Sequence, residues 1–178
     1  MKRSFTLRFL VALSTLTNGQ ELTQVIAEPR GGFSYRVPAD WVRIPNKNRA
    51  KDPDTQFDLA GGPNVNGRRA GMITVMAWRE TSVALATQKT LALLRSGEGK
   101  RAQPKSTPFK TSQGVAGTRL HPAHEAEHNQ FLTIYAFKLD DKRALTFICW
   151  PSLGDKRDML NLYDQIMSTV TFDAGAKP

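Results

Sequence analysis

The sequence predicts an α+β fold, an antiparallel β-sheet with helices packed on it. Three observations carry this. Residues 130–150, QFLTIYAFKLDDKRALTFICW, are two long apolar runs joined by the polar turn Asp140-Asp141-Lys142. Two stretches repeat their apolar residues at a helical period, one in mid-chain and one near the C-terminus. The order is strands, helix, strands, helix, with hairpin-length connections, which favours antiparallel pairing over a βαβ pattern.

The central hairpin sets the architecture. If extended, Phe131, Thr133, Tyr135, Phe137 and Leu139 point one way, and Leu132, Ile134 and Ala136 the other. In the second run Leu145, Phe147 and Cys149 oppose Ala144, Thr146, Ile148 and Trp150. Both faces are largely apolar, and the β-branched and aromatic content selects strand. Such a hairpin belongs mid-sheet, covered above and below.

The other elements follow in order. Gly31-Gly32 opens the folded part and Phe33–Val37 alternates as a half-buried strand, turned by Pro38-Ala39-Asp40 before Trp41. Residues 45–54 read as a polar, basic loop and 55–60 as a short strand. Residues 61–67 form a turn-rich connection in which Asn66-Gly67 is the strongest turn signal. Gly71–Trp78 is a strand with Ile73, Val75 and Ala77 on one face and Met72, Met76 and Trp78 on the other. From Ser82 to Ser96 a helix is expected, with Val83, Ala86, Thr90, Leu93 and Leu94 inward, Ser82 as N-cap and Gly97 as stop. Residues 97–108 read as a basic connection, and 109–112 and 115–121 as a hairpin across Gln113-Gly114. After the central hairpin, Pro151 breaks the strand and Asp155 caps the last helix. That helix turns Met159, Leu162, Tyr163, Ile166 and Val170 inward and Arg157, Asn161, Asp164 and Gln165 outward. Thr171-Phe172 closes the domain, and 174–178 is a loose tail.

At 178 residues the chain holds one domain with a proper core, and 40% hydrophobic with 23% charged residues is ordinary for a globular protein. The net charge of +9 favours anionic partners. The cations are dispersed, with loose concentrations at 43–51 and 95–110. One cysteine, Cys149, rules out an internal disulfide and a multi-cysteine zinc site, and its strand makes it a small core residue.

Residues 1–27 have the layout of a signal or targeting segment. Lys2, Arg3 and Arg8 precede the apolar run Phe9-Leu10-Val11-Ala12-Leu13, and no acid appears before Glu21. Cleavage after Gly19 or after Ala27 fits, which leaves 28–173 as the folded domain and the mature chain still basic. The run is too short to span a bilayer. The implied location is extracytoplasmic, periplasmic or secreted, with organelle import as the alternative.

Candidate chemistry concentrates in one window. All three histidines lie in His121-Pro-Ala-His124-Glu125-Ala-Glu127-His128, and His124 to His128 spells H-E-x-x-H. On a helix that spacing puts two imidazoles on one face beside a glutamate that activates metal-bound water. Here the string joins two strand-like runs and contains Pro122, so the helical peptidase geometry is rejected and a metal-dependent hydrolase stays an alternative only. A loop site for zinc or another divalent metal, using His121, His124, His128, Glu125 and Glu127, is weighed against a plain polar loop, the larger expectation. Gly97-Glu98-Gly99-Lys100 lacks the flanking residues of a phosphate loop, no nucleophile elbow is present, and no catalytic or cofactor-binding residue is assigned. Trp78 and Trp150 lie on strands expected to be buried, which disfavours a nucleic-acid stacking platform.

The run Gly32-Phe33-Ser34-Tyr35-Arg36-Val37-Pro38-Ala39-Asp40-Trp41 resembles the opening of PsbP-like domains, which begin with a glycine, an aromatic strand and a Pro-x-x-Trp turn. The later order is similar too, ending in Ile166-Met167-Ser168-Thr169-Val170-Thr171-Phe172 like that family and the related DcrB-like and Ran-binding Mog proteins. The resemblance spans residues 31–172. It implies an α/β/α sandwich around an antiparallel sheet and a non-catalytic accessory role on larger assemblies. PsbP itself is an extrinsic photosystem subunit that uses basic residues on an acidic partner, and none of those residues is carried over. The histidine window is outside the family pattern, and the lipid-anchor cysteine of bacterial lipoprotein members is missing.

Overall fold

The structure, a computed structural model, describes residues 20–47, 56–79, 82–95, 105–121, 132–151 and 156–173. Along the chain the elements are β1 (Gln24–Glu28), β2 (Phe33–Val37), β3 (Val42–Ile44), β4 (Leu59–Gly61), β5 (Asn64–Val65), β6 (Arg68–Arg69) and β7 (Gly71–Trp78). There follow α1 (Val83–Arg95), β8 (Lys105–Lys110), β9 (Ala116–His121), β10 (Thr133–Lys138), β11 (Ala144–Pro151), α2 (Lys156–Ser168) and β12 (Thr171–Phe172). Seven strands form one sheet in the order β3-β4-β7-β11-β10-β9-β8, and every pairing is antiparallel.

The central hairpin is where its two apolar faces demand. Strand β11 lies between β7 and β10, and the side chains of Thr133–Phe137 and Ala144–Cys149 are all buried. One face carries Tyr135, Phe137, Leu145, Phe147 and Cys149 into the main core. The Phe147 ring meets Phe33, Tyr35 and Phe137 edge-on at centroid distances of 5.7, 5.6 and 5.8 Å. That geometry suits the aromatic quadrupole. The opposite face carries Ala136, Ala144 and Thr146 towards α1, which packs on β10 and β11.

The second layer departs from a single sheet. Strands β1, β2 and β12 form a separate three-stranded sheet, which lies with α2 over the Phe147 face. The physical reason is in β2: Phe33 and Tyr35 must face Phe147 across the core, so their strand stacks on the large sheet and cannot extend it. Helix α2 is pinned by Tyr163. Its hydroxyl donates to the Trp150 carbonyl at 2.8 Å and accepts from the Met72 N–H at 3.2 Å, joining β11 and β7. This approach needs glycine at position 71, where a Cβ would stand 2.5 Å from the Tyr163 hydroxyl.

Several boundaries differ from the sequence reading. The expected domain start at residue 28 falls inside β1, where Ile26 and Glu28 are both buried and pair across to Tyr35 and Phe33. Strand β8 begins at Lys105, within the expected connection, and carries Pro108 because it is the sheet edge, where a missing N–H costs no ladder bond. Pro151 is the last residue of β11, paired with Gly71, and does not break it. The expected 55–60 strand is reduced to β4 plus a lone bridge from Gln56 to Met76. Strand β3 is additional. The Asn66-Gly67 turn has both residues at positive φ, 52° and 78°, as the tight turn of the β5–β6 ribbon requires.

The helices also differ in detail. Ser82 caps α1 through its hydroxyl to the Leu85 N–H at 3.4 Å. The seam of α1 is Ala86, Thr87 and Thr90, whereas Leu93 is 52% exposed. A threonine seam works because Thr90 bonds to the Ala86 carbonyl and to Thr146, which also accepts from the Trp78 indole N–H. Trp78 and Trp150 are half-buried, not buried, and Met167 joins the core face of α2. The expected stop at Gly97, the cap at Asp155, residues 48–54 of the expected 45–54 loop and the tail 174–178 lie outside the described residues.

A test of the N-terminal boundary follows. A chain beginning at Gln20 is expected to match the full chain in urea unfolding. One beginning at Glu28 loses β1 and the burial of Ile26, a cost of about 2–4 kcal/mol. Equal midpoints for both shortened chains would show that β1 contributes nothing.

Candidate functional site

Of the expected metal-ligating residues, only His121 is among those described; His124, Glu125, Glu127 and His128 lie outside them. His121 is the last residue of β9, directly across from Lys105 on the edge strand β8. Pleating puts residues 117, 119 and 121 on the same face, the one turned to α2. His121 therefore shares its surroundings with Arg119, Lys105 and the helix residue Asp164. Burial pushes the imidazole below its ordinary value. The positive charges of Arg119 and Lys105 push the same way, against the pull of Asp164.

The core of this cluster is a bridge between sheet and helix. The Tyr135 hydroxyl donates to Asp164 Oδ1 at 2.6 Å, and Arg119 Nη1 donates to Asp164 Oδ2 at 2.5 Å. Arg119 Nε reaches the Thr107 hydroxyl on β8 at 3.4 Å. Burial opposes the charge on Arg119, but the hydrogen bond and charge of Asp164 outweigh it and hold the guanidinium above its ordinary value. The Tyr135 phenol is pushed up, by burial first, and stays neutral at any physiological pH. Both oxygens of Asp164 are engaged, so this carboxylate serves as a strut between β9, β10 and α2.

Sequence periodicity placed Asp164 on the outward face of α2, and the structure corrects that: the side chain is about one-third exposed and bound to the sheet. The signal that could have found it is a lone carboxylate one residue after the buried Tyr163, level with a cationic strand residue. A second cluster was missed for the same reason. Glu28 is buried and pairs with Arg43, which also bonds Asp58 at 2.8 Å and the Ala27 carbonyl at 3.1 Å. Arg43 thus ties the small sheet to the large one. Arg43 is still 39% exposed, as its place in the basic 43–51 stretch suggests; its partners are what local sequence does not show.

The remaining reactive groups are locked. Cys149 is fully buried and its thiol is pushed well up by burial and then by Asp164. Tyr35 and Tyr163 are likewise pushed up by burial. Among the described residues no group of three or more His, Cys, Asp or Glu is placed to hold a metal ion.

Two expectations follow at this cluster. His121 has a folded value below its unfolded one, so the unfolded chain binds the extra proton. The stability it contributes is complete above about pH 6.5 and is lost as pH falls below that. His121→Gln should therefore flatten the stability–pH curve between pH 7 and 5 relative to wild type; an unchanged slope would contradict the placement. Asp164→Asn should cost about 1–3 kcal/mol in urea unfolding, since it removes the charge facing Arg119 and turns one of the two acceptor oxygens into an NH2 donor, so that Arg119 and Tyr135 can no longer both be satisfied. A loss under about 0.3 kcal/mol would mean the strut is solvent-replaceable.

No family model matches this sequence, and no curated protein matches it. Among solved structures the chain is similar to the solution structure of cyanobacterial PsbP (CyanoP) from Synechocystis sp. PCC 6803. The TM-score is 0.60 at 10% identity, covering 92% of this chain and 98% of that one. A crystal structure from Bacteroides thetaiotaomicron VPI-5482 matches at TM-score 0.42 and 14% identity over 89% of this chain and 50% of that one, which carries no argument about architecture. The chain has the PsbP-like fold, a large antiparallel sheet with a helix on each face.

Proposed function

We propose that this protein is a non-catalytic, exported accessory module that docks through its cationic surface onto an anionic partner. One observation carries the reading: among the described residues, exposed Lys and Arg outnumber exposed Asp and Glu twelve to five. Glu28 and Asp58 are spent on Arg43, Asp164 on Arg119, Asp140 on Arg143 and Asp141 on Lys138. Arg30, Arg36, Lys47, Arg68, Lys105, Lys110 and Lys142 are exposed, and no carboxylate pairs with them among the described residues. A surface of this kind steers towards negative charge. The PsbP-like fold, in a family whose members assist larger assemblies, supports the same reading.

Export fits the N-terminal layout, with removal after Gly19 in preference to Ala27, because only the first leaves β1 whole. No helix among the described residues is long and apolar enough to cross a membrane. Metal binding by the histidine window is the weaker reading, since Arg119 and Lys105 beside His121 oppose a further cation.

The test is capture of partners from the native organism at low and moderate salt. Partners held by surface charge should release as ionic strength passes about 0.15 M, where screening shortens to about 8 Å. Partners retained unchanged at about 1 M salt would contradict a charge-driven interface, and unprocessed full-length chain in the cytosol would contradict export.

A further inference from the structure

The sheet face shared with α1 is only half covered by that helix. Cross-strand partners lie on the same face, so the register puts Val42, Ile44, Leu59, Met72, Met76 and Trp150 together across β3, β4, β7 and β11. The alternate residues, Ala60, Ile73, Val75, Ala77 and Cys149, fill the main core on the other side. Helix α1 packs on β10 and β11, and α2 lies on the opposite face of the sheet. Among the described residues, the side chains of this face on β3, β4 and β7 are half-buried and, Thr74 apart, apolar, and Val42 is 44% exposed. No Asp or Glu occupies the face among its described residues.

We infer that this shelf docks an acidic amphipathic helix of a partner protein, alongside α1. The inference rests on the proposed function above and places its interface. Three neighbouring strands span roughly 10 Å between their outer axes, the width of about one helix. Two methionines and a tryptophan give an adaptable, polarizable surface of the sort that accepts another protein's side chains. Charge selects the sign of the partner. The Arg69 side chain lies over Gly61 at the margin of the shelf, where a Cβ on residue 61 would stand 2.8 Å from its Cδ. One guanidinium N–H of Arg69 is committed to the Gly62 carbonyl at 2.9 Å, which orients the group and leaves its other donors for a carboxylate. Arg68, the preceding residue of the same ribbon, is exposed and adds to the positive charge near this end of the sheet without facing the shelf. A second copy of this chain would bring the same cations against each other, so like charge disfavours it.

The experiment uses the full chain labelled at its methionine methyls. Met72 and Met76 report on the shelf, while the core residue Met167 and the α2 residue Met159 serve as internal controls. The probe is a peptide of about 18 residues, long enough for a helix of roughly 27 Å, with leucine on one face and glutamate on the other. A sister peptide carries lysine in place of glutamate. The inference expects the glutamate peptide to shift Met72 and Met76 and spare Met159 and Met167. It expects the lysine peptide to do neither. Val42→Asp and Arg69→Glu should each weaken the glutamate peptide by about tenfold, with the Met167 resonance unmoved as evidence of an intact fold. Equal shifts with both peptides, shifts only with phosphatidylglycerol vesicles, shifts that grow with protein concentration alone, or no shifts at all would each overturn it. If the peptide is silent while capture of native partners at low salt persists, this face is wrong and the accessory reading stands. If both fail, that reading fails as well.

Discussion

The structure depends on burying one strand completely on both sides. Strand β11 presents Leu145, Phe147 and Cys149 to one layer and Ala144, Thr146 and Ile148 to the other, and all six are buried. Neither layer alone can satisfy it. On one side the answer is aromatic: Phe33 and Tyr35 from β2 and Phe137 from β10 close around Phe147. On the other side it is a small polar seam, where α1 comes close because its contact residues are alanine and threonine. Deleting a buried aromatic of this kind costs about 3–5 kcal/mol in comparable cores, a large part of the total stability of a domain this size.

Electrostatics then divides the molecule into an inside and an outside. A buried carboxylate such as Glu28 is tolerable only with a fixed cation beside it, and Arg43 supplies one while also reaching Asp58 and the Ala27 carbonyl. The same arginine therefore neutralises a charge and joins the two sheets. Asp164 does the corresponding work between β9, β10 and α2. The Arg119–Asp164 pair is neutral, whereas the Arg43 site holds two acids against one cation and so leaves the rest of the molecule one charge more positive. That links the fold to the function proposed for it.

How much of this is legible in the sequence depends on the range of the interaction. The central hairpin, β7 and both helices are carried by local periodicity, and their register follows the alternation of apolar residues. The Asn66-Gly67 turn and the Ser82 cap are equally local signals. What periodicity cannot carry is which sheet a strand joins. Phe33–Val37 looks the same whether it extends the large sheet or stacks on it, and only the distant Phe147 decides. The partners of Arg43 and Asp164 stand 15 and 45 residues away, so local pattern shows neither bridge, and Asp164 looks like an outward residue of its helix. Pro108 in β8 was read as a connection because edge position is a property of the whole sheet. The histidine window was legible as a motif, and of its candidate ligands only His121 is among the described residues, at a strand end beside Arg119 and Lys105.

The central claim is that two-sided burial of β11 holds the other layers in place. Native-state amide hydrogen exchange tests it most directly. The account predicts that the amides of residues 145–149 exchange only through global unfolding, with the largest protection in the chain. The edge strands β3 and β8 should exchange through smaller openings. If β11 amides exchanged as fast as those of β8, or opened while α1 and the small sheet stayed protected, the layers would not depend on that strand.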